Sequence, residues 1–415
     1  MAINISNILT QLNTKMTTDS SASTTELLRR VKAYNDLNNA GRVFEYQSYG
    51  DLPTVDSSNI GQLAYVRSSL DDSFGTFFFS KALANDSGYL SAIDSTNSGW
   101  QKIVLNANDS DNFADIVAAI APYSFQGSTS GYTSGGAGAG NIIQKFSFTA
   151  DGNATDVGDL TDANVVYPVG NSSSSSGYRS GGKNPLVNAG FNTIDKFPFA
   201  TDANATDVGD LLTQKHKGSS ASNEFYGYDV GSASLPASPF PTVGNVIEKF
   251  SFSTDENSTD VGNLLSGNYA GAGQSSADNG YSAGGFPARN VIEKFPFATD
   301  ANTTDVGDLT QTAFNTSGQS SVDNGYRSGG QTPTVINSID KHPFATDANA
   351  TDVGDLTGNR YQLSGQSSTT NGYTAGGNIP PNTNIIDKFP FSSDASATDV
   401  GDLTLGRQQC SGSQY

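Results

Sequence analysis

A short segment rich in side-chain oxygens is the first candidate for chemistry in this sequence. It has the form D-x-N-x-T-D, as in Asp202, Asn204, Thr206 and Asp207. Carboxylate and amide oxygens at this spacing could ligate a hard cation such as Ca²⁺. A calcium loop usually supplies more carboxylates and a glycine at its sharpest bend, whereas Asp and Asn side chains also cap the backbone of their own turns. The pattern therefore favours a capped turn without a metal, with calcium binding as the alternative.

Side chains typical of redox or hydrolytic centres are scarce. The chain has two histidines, His216 and His342, and a single cysteine, Cys410. A copper radical oxidase requires a cross-linked Cys-Tyr pair and two His ligands, and a sialidase carries Asp-box repeats ending in Trp with an arginine triad; neither set is present. One cysteine also excludes an intramolecular disulfide and a Cys-based zinc site. The sequence predicts a protein that is not an enzyme and that has no cofactor.

The acidic turn belongs to a unit that occurs six times. Each copy resembles NTIDKFPFATDANATDVGDL, and the copies begin at Asn141, Asn192, Asn245, Asn290, Asn337 and Asn384. A Gly-Tyr that usually leads into Gly-Gly precedes every copy. The spacing from the Lys to the Asp of Thr-Asp-Val, as from Lys196 to Asp207, is identical in all six copies, whereas the segment from Tyr to Lys varies in length. Because each unit must bury its apolar face on its neighbours, the regular part reads as structural and the variable segment as functional.

Four short strands can be read in each unit, at segments such as YQLSGQS, GYTAGG, NIIDKFPF and ATDVGDL. Four strands in a unit of this length are typical of a propeller blade, and a closed ring removes exposed sheet edges. YSFQGS, which opens the first unit, and LGRQQCSGSQY, which ends the chain, both match a first strand, so either terminus could close the ring. The sequence predicts a six-bladed β-propeller over residues 122–415, in a mainly β chain.

The sequence before the repeats has a different pattern. Residues 1–40 have apolar side chains at helical spacing and are predicted to be a helical attachment segment. Residues 41–121 contain short aromatic and β-branched runs, which predict a small antiparallel β module, followed by a linking helix over Asp111–Ala121.

Charge and hydropathy exclude several partners. The chain has 415 residues and a formal net charge of −19, so it repels nucleic acid and anionic membranes. Its first residues lack the pattern of a signal peptide, and no stretch is apolar enough for membrane insertion. We expect synthesis in a cytoplasm, with any outside role reached by lysis or on a particle.

The repeat resembles the kelch repeat in the order of its elements: a Gly-Gly after the second strand, a variable loop, an aromatic on the third strand and a turn. It departs from kelch in having Phe, as at Phe146, where kelch has Tyr, and Thr-Asp-Val where kelch has Trp. The third copy has GYDVGS in place of Gly-Gly. The resemblance implies a kelch-like blade, with packing details that differ.

Tandem units of this DVGDL type also resemble virion structural or fibre-like proteins of tailed phages of marine cyanobacteria. This resemblance implies a location on the virion, attachment to other virion proteins through residues 1–121, and a homo-oligomer. The predicted function is a tail or fibre appendage whose propeller binds a host surface glycan or protein without catalysis. The alternative is a purely structural head-decoration, neck or tail scaffold protein.

The predicted contact residues lie in the variable loops, where proline stiffens the backbone. They are Leu186, Phe191, Leu235, Phe240, Phe286 and Arg289.

Overall fold

The structure, a computed structural model, describes residues 125–234 and 242–415 together with four earlier strands. The chain divides into two compact units, Met1–Pro122 and Tyr123–Tyr415. The described part is mainly β and contains no helix.

The four earlier strands form one sheet in chain order. They are Val43–Tyr46, Leu63–Val66, Thr76–Ser80 and Trp100–Ile103. The first two are parallel and the later pairs are antiparallel, so the sheet is mixed where the sequence predicts an antiparallel one. The predicted helices at residues 1–40 and 111–121 lie outside the described residues.

Residues from 125 onward form a six-bladed β-propeller, as predicted. Each blade has an inner, a second, a third and an outer strand, paired antiparallel. From blade 1 to blade 6 the inner strands are Ser411–Gln414, Val169–Ser172, Ser219–Ser222, Ala272–Ser275, Ser317–Ser320 and Ser364–Ser367. The second strands are Ser130–Ser134, Ser176–Ser180, Tyr226–Ser234, Asn279–Ala283, Asn324–Thr332 and Asn371–Ala375.

The third strands carry the Lys-Phe or Lys-His pair. They are Ile142–Ser147, Thr193–Pro198, Thr242–Ser251, Val291–Pro296, Thr334–Pro343 and Ile385–Pro390. The outer strands are Thr155–Asp159, Thr206–Asp210, Thr259–Asn263, Thr304–Asp308, Thr351–Asp355 and Thr398–Asp402. Short pairs add Lys183–Asn184 with Ala189–Gly190, and Lys215–His216 with the end of the second strand of blade 3.

The C terminus closes the ring. Ser411–Gln414 pairs with Ser130–Ser134 as the inner strand of blade 1, and it contacts the inner strands of blades 2 and 6. The described part of YSFQGS, residues 125–128, therefore does not form a first strand as predicted, because the C-terminal strand occupies that sheet edge. Instead, Gln126 and Gly127 lie across one end of the ring, where Gly127 N donates to Ser367 O at 2.8 Å and Gln126 Nε2 donates to Ser320 O at 2.9 Å.

A ring of six backbone hydrogen bonds surrounds the propeller axis at the other end. One residue in each linker from an outer strand to the next inner strand donates its N–H to the carbonyl of the equivalent residue one blade earlier, at 2.7–3.0 Å. All six residues have positive φ, between 54° and 62°. They are Tyr167, Lys217, Ala270, Asn315, Gln362 and Gln409. The ring, hereafter the axial ring, closes on itself, which fixes the blade number at six.

Aromatic side chains join neighbouring blades. The tyrosine of each second strand stacks on a phenylalanine of the next blade, as Tyr228 does on Phe297 with 5.0 Å between ring centroids. The equivalent stacks are Tyr132–Phe199, Tyr178–Phe252, Tyr281–Phe344, Tyr326–Phe391 and Tyr373–Phe148. These aromatics form the buried core between blades, so the repeated Tyr and Phe positions are used for packing.

The glycine before each tyrosine makes room for an aromatic ring. A Cβ placed on Gly280 would lie 2.2 Å from Cζ of Phe295, whereas one placed on Gly152 would meet nothing within 4 Å. We expect Gly280→Ala to lower the free energy of unfolding by about 1–3 kcal/mol because the core has no space to accept a methyl group. Chemical denaturation of the full chain measures this. Gly152→Ala is the control, and equal stability of the two variants would contradict the packing described here.

His342 replaces the phenylalanine in blade 5 and is buried beside Tyr281 and Phe344. Burial lowers the pKa of His342 to about 4, and its Nε2 has no hydrogen-bond partner. As pH falls from 6.5 to 4 the unfolded chain takes up a proton that the folded protein does not, so this residue costs stability in that window.

We expect His342→Phe to be more stable than the wild type at neutral pH, with a difference that grows by about 3 kcal/mol between pH 6.5 and 4. Unfolding midpoints of the two proteins measured across this pH range test the prediction. A difference that stays constant with pH would show that His342 takes up its proton in the folded protein as readily as in the unfolded chain.

The acidic turn also joins blades. The third-strand lysine pairs with the turn aspartate of the next blade, and the last pair, Lys388 with Asp151 at 2.6 Å, closes the circle. The other pairs are Lys145–Asp202, Lys196–Asp255, Lys249–Asp300, Lys294–Asp347 and Lys341–Asp394. The turn asparagine caps the preceding blade, as Asn204 Oδ1 does by accepting from Asp159 N at 3.0 Å. The sequence predicts that these side chains cap their own turn. The second aspartate does so, as Asp207 Oδ1 accepts from Gly209 N at 3.2 Å, whereas the first aspartate and the asparagine bind the neighbouring blade.

Candidate functional site

The propeller has two faces, which are formed by different connections between the strands. The loops between second and third strands and the linkers into the inner strands lie together on one face, which we call the loop face; their backbones bond to each other, as Phe286 N does to Tyr269 O at 2.7 Å. The remaining turns lie on the opposite face, the turn face. Phe125, the first described residue of the propeller, is on the turn face, where its carbonyl accepts a hydrogen bond from Gln414.

The first predicted contact segment is a small hairpin on the loop face. Lys183–Asn184 pairs with Ala189–Gly190, and the tip between them projects into solvent, with Leu186 76% exposed. Phe191, in contrast, is partly buried against the core of blades 1 and 2, and the Arg179 guanidinium lies 5.8 Å from its ring centroid. Leu186 is thus available for contacts, and Phe191 mainly supports the hairpin.

The remaining predicted residues differ in accessibility. Phe286 is 38% exposed, whereas Arg289 forms an ion pair with buried Glu293 and donates to Ser266 Oγ at 2.9 Å. Arg289 is therefore held in an ion pair, although its position in a variable loop predicts a side chain that is available for contacts. Leu235 and Phe240 lie outside the described residues.

Phe286 belongs to an aromatic group on the loop face. Its ring lies 5.1 Å from that of Tyr269 and 5.4 Å from that of Phe314, between ring centroids. All three rings are at least partly exposed. We call Tyr269, Phe286 and Phe314 the aromatic ridge; Tyr269 and Phe314 directly precede two residues of the axial ring.

The side chains of the axial ring meet at the mouth of the propeller axis. Gln362 Nε2 donates to the Tyr167 hydroxyl at 2.8 Å, and Gln409 Nε2 donates to Gln362 Oε1 at 3.1 Å. The Lys217 ammonium lies 4.2 Å from the ring centroid of Tyr167 and 5.3 Å from that of Tyr269. All six are partly exposed, so the mouth is a shallow polar site of amides, a phenol and one amine.

The amine at this mouth has no acidic neighbour among the residues the structure describes. Burial, and secondly the charge of Lys183, lower the pKa of Lys217 to about 8. Burial and the charges of Lys217 and Lys183 lower the pKa of adjacent His216 to about 3. At neutral pH the mouth thus carries the positive charge of Lys217 beside a neutral histidine.

Acidic residues are almost absent from the loop face. The loops 135–141, 181–192, 231–245, 284–290, 329–337 and 376–384 contain none, and among the linkers 161–168, 212–218, 265–271, 310–316, 357–363 and 404–410 only Asp162 is acidic. Asp162 is paired with Arg179 at 2.8 Å. The negative charge of the propeller lies instead on its turns, its outer strands and its buried ion pairs, so the loop face is electrostatically distinct.

An acid pair in blade 3 resembles a catalytic dyad. Asp229 and Glu248 are buried in blade 3 around Lys215, at 3.2 and 2.9 Å from its ammonium, and burial raises the pKa of Asp229 to about 6. All three side chains are enclosed, which leaves no path for a substrate. No group of three or more His, Cys, Asp or Glu in this part of the chain could hold a metal.

Sequence reasoning placed the variable loops and missed the axial ring. The signal was present, because the residue two positions before the start of the inner strand, such as Ala270 in NYAGAGQ and Asn315 in AFNTSGQ, changes from blade to blade. This residue lies between the outer strand and the next Gly-Tyr, in a stretch of nearly constant length, and constant length is typical of structural segments.

No described helix is long and apolar enough to cross a membrane. A scan of the chain against protein-family models finds no match, and a search of curated proteins finds no matching sequence. The resemblances to kelch repeats and to phage virion proteins therefore stay predictions.

Proposed function

We propose that the chain is a non-enzymatic binding protein of a phage virion, whose propeller presents its loop face to a host surface glycan or protein. One observation carries the proposal: the repeated side chains are used in contacts between blades, and the residues that differ between blades gather on the loop face. The Lys-Asp pairs, the Tyr-Phe stacks and the asparagine caps occupy the repeat.

Most of the large apolar side chains that are exposed in the described residues lie in the loops and linkers of the loop face, which fits the same proposal. Leu186 and Val187 form the hairpin tip, Phe286 belongs to the aromatic ridge, and Ile379 is exposed in the loop of blade 6. Exposed apolar groups surrounded by polar backbone are typical of interaction surfaces. Several weak contacts on one face, multiplied by a homo-oligomer, would give strong attachment through avidity.

The hairpin of blade 2 offers a direct test. Replacing Pro185–Asn188 with Asn-Gly keeps the pairing of Lys183–Asn184 with Ala189–Gly190, because Asn-Gly favours a two-residue hairpin turn. We expect the shortened protein to keep the wild-type stability and to bind cyanobacterial host cells less well, in a cell-binding assay with labelled protein.

The control is Val322→Ser, which removes an exposed apolar side chain from the turn face. We expect it to bind cells as the wild type does. Wild-type binding by the shortened hairpin variant would contradict the proposal and favour the scaffold alternative, in which the loops contact other virion proteins.

A further inference from the structure

We propose that the axial ring and the aromatic ridge form one binding site for an acidic saccharide, a sugar that carries a carboxylate or a sulfate. This inference rests on the proposed function and names the ligand class of that face. The site consists of Lys217, Tyr167, Gln362 and Gln409 at the mouth, with Lys183 and the ridge beside them.

Lys217 carries a charge that has no carboxylate partner among the described residues. Every other lysine or arginine of blades 2 to 6 that the structure describes, apart from Lys183, has a carboxylate partner, as Lys215, Arg289, Arg327 and Arg360 do. Lys217 instead has the faces of Tyr167 and Tyr269, which hold an ammonium by cation–π attraction without neutralising it. An anion at the mouth would supply the missing counter-charge.

The mouth also offers hydrogen-bonding groups to an anionic sugar. A carboxylate or sulfate accepts several hydrogen bonds, and sugar hydroxyls both donate and accept them. The amides of Gln362 and Gln409 and the Tyr167 hydroxyl are arranged in a chain at the same mouth. Asn315, which bonds Gln331 at 3.2 Å, extends this polar rim towards blade 5.

Aromatic rings beside the mouth offer a stacking surface for a sugar. The apolar face of a pyranose ring packs well on an exposed aromatic ring. Tyr269 lies 5.3 Å from the Lys217 ammonium, measured to its ring centroid, and leads to Phe286 and Phe314. A saccharide bound by its anionic group at the mouth would therefore find aromatic rings along one side.

The chain has a net charge of −19, but few of its acidic residues lie near the mouth, so the site can still accept an anion. Since Asp162 is the only acidic residue of the loops and linkers and is already paired, no local carboxylate repels a bound anion. Salt screens the more distant acidic turns beyond roughly 8–10 Å, so they have little effect on the mouth at physiological ionic strength.

The test is binding of defined tetrasaccharides to the full-length protein by titration calorimetry. The acidic probes are tetragalacturonate and a sulfated galactan tetrasaccharide, which distinguish carboxylate from sulfate, and the neutral probe is galactotetraose. We expect at least one acidic probe to bind and the neutral one not to. Lys217→Met should weaken this binding by about tenfold or more, because it removes the charge and keeps the side-chain length.

Two variants serve as controls. Lys217→Arg keeps the charge above the tyrosine rings and should restore binding, and Lys294→Met removes the same charge from an inter-blade pair remote from the loop face and should not affect it. Absence of binding by both acidic probes, equal binding of the neutral probe, or wild-type affinity of Lys217→Met would each overturn the assignment.

Cell adsorption of Lys217→Met and of the shortened hairpin variant separates the ligand class of the mouth from the role of the loop face as a whole. If Lys217→Met adsorbs to cells normally while the shortened hairpin does not, the loop face is still the recognition surface and its ligand is not an acidic saccharide. If neither variant loses adsorption, the proposed function falls as well.

Discussion

Removal of Ser411–Tyr415 should abolish cooperative folding of the propeller. These residues supply the inner strand of blade 1, and their loss exposes the edge of Ser130–Ser134. They also bond to blade 2, where Gln414 N donates to Ser172 Oγ at 2.9 Å and the Tyr415 ring stacks on Phe199 with centroids 5.1 Å apart. Blades 2 and 6 would each lose a neighbour on the axis, so the ring opens and an unpaired strand edge is left.

Calorimetry or near-ultraviolet circular dichroism of the tyrosines should record this loss. Fluorescence of the only tryptophan, Trp100, is unsuitable because that residue lies in the other compact unit. We expect no cooperative transition from the truncated propeller, and partial recovery when a peptide of residues 404–415 is added. The shortened hairpin variant, which also loses loop residues, is the control and should unfold as the wild type does; an unchanged transition in the truncated protein would contradict closure by the C terminus.

Asp340→Asn should cost about 3–5 kcal/mol of stability, because it leaves a buried guanidinium without its counter-ion. Asp340 binds Arg327 at 2.5 Å, and both side chains are fully buried. Its two oxygens also accept from the hydroxyl and the N–H of Thr310, at 2.8 and 3.1 Å. Denaturant unfolding of Asp340→Asn, of Arg327→Met and of the double variant measures the pair, and we expect the double variant to recover part of the loss.

Blade 1 allows the converse substitution, in which an acid is added beside a buried cation. Gln144 stands where the other five blades have a buried acid, and the Arg407 guanidinium beside it bonds only to neutral oxygens, among them Gly135 O at 3.0 Å. Glu248 and Glu293 show that a glutamate at this position bonds both the linker N–H and the cation. Gln144→Glu should therefore raise the free energy of unfolding by about 1 kcal/mol. Destabilisation by Gln144→Glu together with tolerance of Asp340→Asn would contradict the role assigned to these pairs.

The repeat made the propeller predictable from sequence. Regular spacing determines that every blade is built alike, and the SGSQ segment at the C terminus matched an inner strand closely enough to suggest six blades. Sequence did not determine which terminus closes the ring, because YSFQGS has the same pattern; Gln126 and Gly127 proved to cross the end of the axis instead.

The buried cations and the axial ring escaped prediction for a common reason. Each blade has one cation paired or hydrogen-bonded in its interior, but the position of this residue in the repeat differs. Arg179 lies on a second strand, Arg360 in a linker and Arg289 in a loop, so no single repeat position predicts it. Positions that are distant in sequence converge in space at the axis, as Tyr167 and Gln362 do. Variation in loop length predicts a site at the hairpin that carries Leu186. It does not predict the meeting of the linkers at the propeller axis.

The central claim is that the loop face is the recognition surface, and site-directed blocking of each face tests it most directly. Leu186→Cys on the loop face and Val322→Cys on the turn face replace two exposed apolar side chains, and the native thiol of Cys410 is buried. Each variant is coupled to a maleimide-polyethylene glycol and its adsorption to host cells is measured. We predict that the polymer at position 186 blocks adsorption and that the polymer at position 322 leaves it unchanged; the reverse result, or equal adsorption of both conjugates, would contradict the claim.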